Sequence, residues 1–309
     1  VKQMKRILPI LLVIAAMIVA GCGSSDTGSG KVYCLLHDNA DAGFQGDLKR
    51  AIVNRLQAAG IETEVLDAKG DANVQHDQIK QAIDAKASAI VLAAVDGEAV
   101  IPEIEKANAA GIPIIRINRD ISGGKFVSSV SDDREAGRMQ GEFMAKNLPQ
   151  GAKIVYMNGE MTQSGAKKRW EGFKEACLDK RPDIQLLASA DCSWNEAVAL
   201  RQMSLWLKLF PQIDGVVGAN DDMALGAIRA LRDAGRLEGV LVSGVDATDA
   251  ALKAVSDGTM SQTVKQDAEG QGEGAFALIQ AVRQGNKQPE DILVPFVEIT
   301  KANIGQFLH

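Results

Sequence analysis

The chain has 309 residues, 46% apolar and 24% charged, a globular balance that excludes disordered and fibrous readings. Its formal charge of −6, unbroken by any basic run, argues against a nucleic-acid surface. Only 4% of residues are aromatic, so the place of each one carries information.

Lys2, Lys5 and Arg6 precede an apolar run over residues 7–19. That run is shorter than the roughly 20 residues a spanning helix needs. A basic start, a short apolar core and the small pair Ala20-Gly21 describe an export signal over residues 1–21. Cys22 directly afterwards resembles the lipobox cysteine of bacterial lipoproteins, which gains the lipid and becomes the mature N-terminus. An ordinary cleaved signal followed by an unrelated cysteine is the alternative. In both cases the rest of the chain is expected outside the cytoplasm. Residues 23–30, all small or polar, have nothing to build a core and read as a flexible tether behind Cys22.

From Lys31 onward short apolar strands alternate with amphipathic helices. Strands are expected over 32–36, 63–66, 89–92 and 112–117, with helices over 44–59, 74–85 and 99–110. Gly60 and Gly111 follow helix ends, as helix stops do. The rhythm restarts with a strand over 127–130 and a helix over 134–147. Strands at 154–157, 184–188, 215–219 and 240–245 follow, with helices at 166–176, 196–210, 223–234 and 248–256. A strand at 261–264, a helix at 269–283 and a tail containing Pro295 end the pattern. This is the signature of an α/β fold with parallel sheets and right-handed crossovers. Two units in series are the natural reading, with ligands expected just past the carboxyl ends of the strands.

Beyond Cys22, Cys34, Cys177 and Cys192 leave at least one free thiol. Cys177 near a helix end and Cys192 past the next strand lie at opposite sheet edges, and no disulfide is expected.

A series of segments lies at the expected strand ends and helix starts: Val95-Asp96-Gly97-Glu98-Ala99-Val100, Ala107-Asn108-Ala109-Ala110-Gly111-Ile112-Pro113, Ile117-Asn118-Arg119-Asp120 and Glu135-Ala136-Gly137-Arg138. Asn220-Asp221-Asp222-Met223-Ala224-Leu225-Gly226-Ala227, Gly244-Val245-Asp246 and Thr263-Val264-Lys265-Gln266-Asp267 complete it. In this order and at these spacings they resemble the sugar-binding branch of the type I periplasmic binding proteins, the ribose and galactose binders of ABC importers. The resemblance implies two Rossmann-like lobes with parallel sheets, joined by three hinge crossings near Asp133, Lys265 and Pro295. The N-terminal lobe would be residues 31–132 plus 266–294, and the C-terminal lobe 133–265 plus 295–309. It also implies a monomeric, lipid-anchored binding protein that captures a monosaccharide or cyclitol by lobe closure and delivers it to ABC permease subunits. A sensor that docks on a chemoreceptor or kinase is the competing function. The anchor would be its only contact with the membrane.

A sugar offers hydroxyls at its ring edge and apolar C–H faces, so its site needs planar polar groups and aromatic rings. Phe44 and Trp194 match the stacking aromatics, one from each lobe, although each also suits a packing role at a helix start. Trp170 and Trp206 lie within helices and are assigned to packing. Asn118 and Arg119 match polar contacts after the fourth strand, and Arg169 matches a second arginine. Its neighbours Lys167 and Lys168 match nothing comparable. Asn220, Asp246 and Gln266 complete the candidate set, with helix capping or a surface amide as the plainer roles. Because arginines only donate while Asp246 accepts, the set suits a neutral polyol. Two departures stand out: Ala93 replaces an Asn of ribose-type binders, and Ala42 replaces an Asp of galactose-type binders. Asp41 and Gln163 are the further candidates for replacement contacts.

An enzyme is not expected. His37, His76 and His309 are the only histidines, and neither H-E-x-x-H nor G-x-S-x-G occurs. The glycines of Gly270-Gln271-Gly272-Glu273-Gly274 fall in a helix rather than a strand-to-helix turn, so no dinucleotide cofactor is implied. Asp132-Asp133 and Asp221-Asp222 read as helix caps, and residues 38–41 lack calcium-loop spacing, so no metal is expected.

Overall fold

The computed structural model describes residues 30–37, 41, 43–286 and 288–308. The export segment, Cys22, the tether up to Ser29, residues 38–40, Ala42 and His309 lie outside the described residues.

The chain begins β1 (Val32–Leu36), α1 (Gly43–Ala58), β2 (Thr63–Asp67), α2 (Ala72–Asp84), β3 (Ala89–Leu92) and α3 (Ile101–Ala109). It continues β4 (Ile114–Ile117), β5 (Val127–Val130), α4 (Asp133–Asn147), β6 (Lys153–Asn158), α5 (Ser164–Phe173) and β7 (Gln185–Asp191). Next come α6 (Glu196–Leu209), β8 (Gly215–Gly218), α7 (Asp221–Asp233), β9 (Leu241–Asp246) and α8 (Asp249–Asp257). It closes with β10 (Gln262–Lys265), α9 (Ala268–Arg283), β11 (Ile292–Leu293) and β12 (Val297–Thr300).

Two six-stranded sheets result, ordered β11-β5-β4-β3-β1-β2 and β12-β10-β9-β8-β6-β7. Every pairing is parallel except β10 with β12. The central strands β1, β3 and β8 are buried along their whole length, because parallel sheets are covered on both faces. The edge strands β2 and β7 are partly exposed. The chain passes between sheets three times: from β5 to α4, from β10 to α9, and from β11 to β12. Polar bonds fasten the first passage, where Gln271 Nε2 donates to Ser131 Oγ at 2.8 Å and Ser129 Oγ donates to the Gln271 carbonyl at 2.8 Å.

Side-chain caps start the helices around the strand ends. Asp71, Asp132, Asn195, Asn220 and Thr248 each accept a backbone N–H in the first turn of α2, α4, α6, α7 and α8. Between α4 and α5 the backbones touch. A Cβ on Gly137 would lie 1.9 Å from the Arg169 carbonyl oxygen, and one on Gly172 2.0 Å from that of Arg134. Any larger residue at either position would push α5, and Arg169 with it, off the lobe.

The structure amends the sequence reading in four places. The strand expected from residue 112 begins at Ile114, after Pro113, which has no N–H to donate to the ladder. The helix expected over 166–176 starts at Ser164 and widens into a π-helical turn over Lys174–Leu178. The strand after it runs to Asp191, three residues further than expected. The tail holds two strands, one for each sheet.

Each lobe has its own core. In the first, Leu36, Leu48, Ile52, Val91 and Ile115 pack one face of the sheet, and Leu35, Ile90, Leu92 and Ile104 the other. The second centres on Val155, Met157, Phe173, Val216 and Trp206, which is 4% exposed. Trp170 meets Tyr156 edge-on at 4.9 Å, and both tryptophans pack as expected. Cys34, Cys177 and Cys192 are buried and free. Among the described residues no helix is long and apolar enough to cross a membrane.

Candidate functional site

Both sheets reverse their strand order at the same place, between β1 and β3 in the first lobe and between β6 and β8 in the second. Open α/β sheets bind ligands outside the carboxyl ends of the strands at that switch point.

In the first lobe β1 is followed by His37, 3% exposed, whose imidazole is held well below its usual range by burial and by the charge of Arg119. Phe44, in the first turn of α1, is 9% exposed and belongs to the apolar cluster with Leu36, Leu48 and Ala93. Asn118 takes a left-handed φ of 56° immediately after β4, and its Oδ1 accepts a hydrogen bond from Gln45 Nε2 at 3.0 Å. Asp41 points elsewhere: its side chain is 89% exposed and paired with Lys49 at 2.6 Å.

The second lobe is organised around Arg169, 5% exposed. Its Nε donates to Asp133 Oδ1 at 2.8 Å, Nη1 to the Ala219 carbonyl at 2.7 Å, and Nη2 to Gln266 Oε1 at 2.8 Å. Burial works against its charge, and the carboxylates of Asp133 and Asp246 outweigh that effect. The guanidinium lies 5.6 Å from the Trp194 ring centre and 5.9 Å from that of Phe296, within cation–π range. Asp246 Oδ1 stands 3.9 Å from Nη1. Burial pushes the Asp246 carboxyl well up, with Arg169 opposing and neighbouring carboxylates adding to the rise.

Trp194 is placed by three devices. Its backbone takes φ 58°, and Gln163 Oε1 accepts from its Nε1 at 2.9 Å. Gly159 makes room for the ring, since a Cβ there would lie 2.1 Å from two indole atoms. Gln163 thus stands behind the indole, with its own Nε2 donating to Glu160 at 2.5 Å. Asn220 is the N-cap of α7, its Oδ1 accepting from Met223 N–H at 3.1 Å, which leaves its amide as the group that can turn outward.

Arg169, Trp194, Asn220 and Asp246 therefore share one face of the second lobe, with Gln266 at the passage from β10 to α9 and Asn118, Arg119 and Phe44 at the strand and helix ends of the first. Three neighbours escape the sequence reading. Asn158, last in β6, is 8% exposed, and its Oδ1 is a buried acceptor without a hydrogen-bond partner. Asp133 anchors Arg169 instead of capping α4, a task that Asp132 performs. Phe296 sits where the chain leaves β11 for β12. Asp120 also bridges the lobes: its N–H donates to Ser164 Oγ at 3.2 Å, and Lys168 Nζ meets its Oδ2 at 2.6 Å. Arg116 holds the other oxygen of Asp120 at 2.8 Å. No group of three or more His, Cys, Asp or Glu among the described residues is arranged to hold a metal ion.

A family profile described as a periplasmic binding protein domain matches residues 32–287. The chain belongs to the periplasmic binding protein family. Family members are binding proteins rather than enzymes, and the two-lobed fold is that of the type I class. A solute-binding protein from Bacillus halodurans, crystallised with bound myo-inositol, superposes with a TM-score of 0.85 at 30% identity, covering 92% of this chain and 99% of that one. A xylitol-binding protein of Mycolicibacterium smegmatis is 30% identical over 292 residues, 93% of this chain and 82% of the relative. A D-apiose import binding protein of Paraburkholderia graminis is 32% identical over 280 residues, 87% and 86% of the two chains.

Proposed function

We propose that this periplasmic binding protein captures a small neutral polyol, a monosaccharide or cyclitol, between its lobes and delivers it to an ABC importer. The observation that carries the reading is the buried Arg169 network. A guanidinium fixed by Asp133, Ala219 and Gln266 stands within cation–π range of two aromatic rings and beside the Asp246 carboxylate. Fixed donors, a nearby acceptor and an aromatic face are what a ring with hydroxyl edges and C–H faces requires. The ligands of the relatives, the cyclitol myo-inositol, the open-chain xylitol and the sugar D-apiose, are all small, neutral and rich in hydroxyls.

On this reading Phe44 and Trp194 line the ring faces. Asn118, Arg119, Arg169, Asn220, Asp246 and Gln266 take the hydroxyls, and Asn158 Oδ1 adds an acceptor. The three passages between sheets act as the hinge for closure, a known switching mode of such proteins. The protein works as a monomer outside the cytoplasm, lipidated at Cys22 after removal of residues 1–21, with the following residues as tether.

The test is a thermal-shift panel on residues 23–309 with pentoses, hexoses, deoxysugars, inositols and free amino acids. A ligand at 1,000 times its Kd stabilises by about 4 kcal/mol. A shift with a sugar or cyclitol is expected; a shift with amino acids alone, or with nothing in the panel, contradicts the proposal.

A further inference from the structure

Asp221, first residue of α7, is fully buried and plays no part in the capture just described. Its Oδ1 accepts from Thr263 Oγ1 on β10 at 2.7 Å. Its Oδ2 accepts from the Thr248 N–H at 2.9 Å and from Thr248 Oγ1 at 3.3 Å. The backbone of β9 presses against the same carboxylate, for a Cβ on Gly244 would lie 2.3 Å from Oδ1. What these bonds hold is the turn that follows β9. Asp246 and Ala247 have φ of 122° and 62°, two successive non-glycine residues in a region that L side chains rarely adopt. The Ala247 N–H is hydrogen-bonded to Thr263 Oγ1 at 3.2 Å, and that hydroxyl in turn donates to Asp221. The whole turn therefore hangs from one carboxylate.

We propose that Asp221 is a positioning residue: it holds the 246–248 turn, with Asp246 and Ala247 at positive φ, and so aims the Asp246 carboxylate at Arg169 and at a bound polyol. This rests on the reading of Asp246 as a ligand contact. Helix capping does not account for Asp221, since Asn220 already caps α7.

The groups facing this site are Asp222 on α7, Asp246 at the end of β9, Asp133 on α4 and Arg169 on α5, with Glu196 of α6 acting on Asp222. One cation stands among four carboxylates. Burial pushes the Asp221 carboxyl up to about 7, against the bonds from Thr263 and Thr248 that favour its charged form.

Amide hydrogen exchange tests this without a ligand. In Asp221→Asn, Ala247 and Thr248 should exchange at least tenfold faster, while β6, β8 and the first lobe keep their rates. Asp222→Asn should exchange as the wild type does. Unchanged protection at Thr248 in Asp221→Asn overturns the proposal, as does faster exchange spread evenly over the second lobe. Calorimetric titration with myo-inositol then separates the inference from the reading beneath it. A tenfold loss of affinity in both Asp221→Asn and Asp246→Ala supports both. Loss in Asp246→Ala alone overturns the role of Asp221 and leaves the ligand contact standing. Full affinity in Asp246→Ala overturns the contact, and with it the role assigned to Asp221.

Discussion

Replacing Arg169 by Met removes a cation whose side chain is 6% exposed and leaves the Asp133 carboxylate, 9% exposed, without its partner. The Ala219 carbonyl and Gln266 Oε1 lose their donors in the same step. Met fills much of the same volume, so the dominant cost is an uncompensated buried charge. Breaking a buried pair in this way costs about 3–5 kcal/mol. Asp133→Asn alone should cost less, since the guanidinium keeps Gln266, Ala219 and the nearby Asp246. The double variant Arg169→Met/Asp133→Asn should recover about 2 kcal/mol relative to the sum, because no lone charge remains. Urea unfolding of ligand-free protein, followed by Trp fluorescence and circular dichroism, measures all four corners of the cycle. A fall in melting temperature of roughly 10 °C should accompany the single Arg169 change. Additivity of the two substitutions to within about 0.5 kcal/mol would refute the claim that Arg169 and Asp133 act as one buried unit.

Trp194→Ala should weaken polyol binding by about 1–3 kcal/mol, by analogy with bases stacked on aromatic side chains. Gly159→Ala should lower affinity too, since its Cβ meets the indole at 2.1 Å; unchanged titration curves would contradict both. Burial pushes the thiols of Cys34, Cys177 and Cys192 up to about 12, 11 and 11, so iodoacetamide at pH 8 should leave native protein unmodified and label all three in urea. A rapid reaction with folded protein would contradict their burial. For Asp221 the folded-state pKa, about 7, exceeds the ordinary 3.8, so folding disfavours the charged form. Its contribution to stability is complete below about pH 4 and fades as the pH rises to about 7. The stability of Asp221→Asn relative to wild type should therefore rise over that window and level off above it; a difference independent of pH would count against the shift.

The parts of the fold written in local pattern were legible in the sequence. Buried parallel strands such as Val32–Leu36 and Ala89–Leu92 appear as unbroken apolar runs, and the caps Asn220 and Thr248 mark their helices. What escaped depends on pairing in space. Val297–Thr300 is a mostly exposed four-residue edge strand, and only its antiparallel register with β10 makes it one. Asn158 lies one residue past the apolar run that defined its strand, so its buried carbonyl oxygen gave no sign of itself. Two adjacent aspartates open α4, and the sequence does not distinguish the one that caps from the one that turns inward to Arg169. Asp41, next to the position where Ala42 replaces an Asp, points its side chain to solvent and Lys49. For Gln163, what the sequence could not convey is that its carbonyl is occupied by the Trp194 indole.

The central claim is that a neutral polyol sits between the lobes on the Arg169 face. Diffraction from crystals grown with the most stabilising polyol of the panel tests it directly. The account predicts a ring against Trp194, with hydroxyls bonded to Arg169, Asp246, Asn220 and Gln266 and at least one donating to Asn158 Oδ1. A ring bound elsewhere, or held without Arg169 and Asp246, would contradict it.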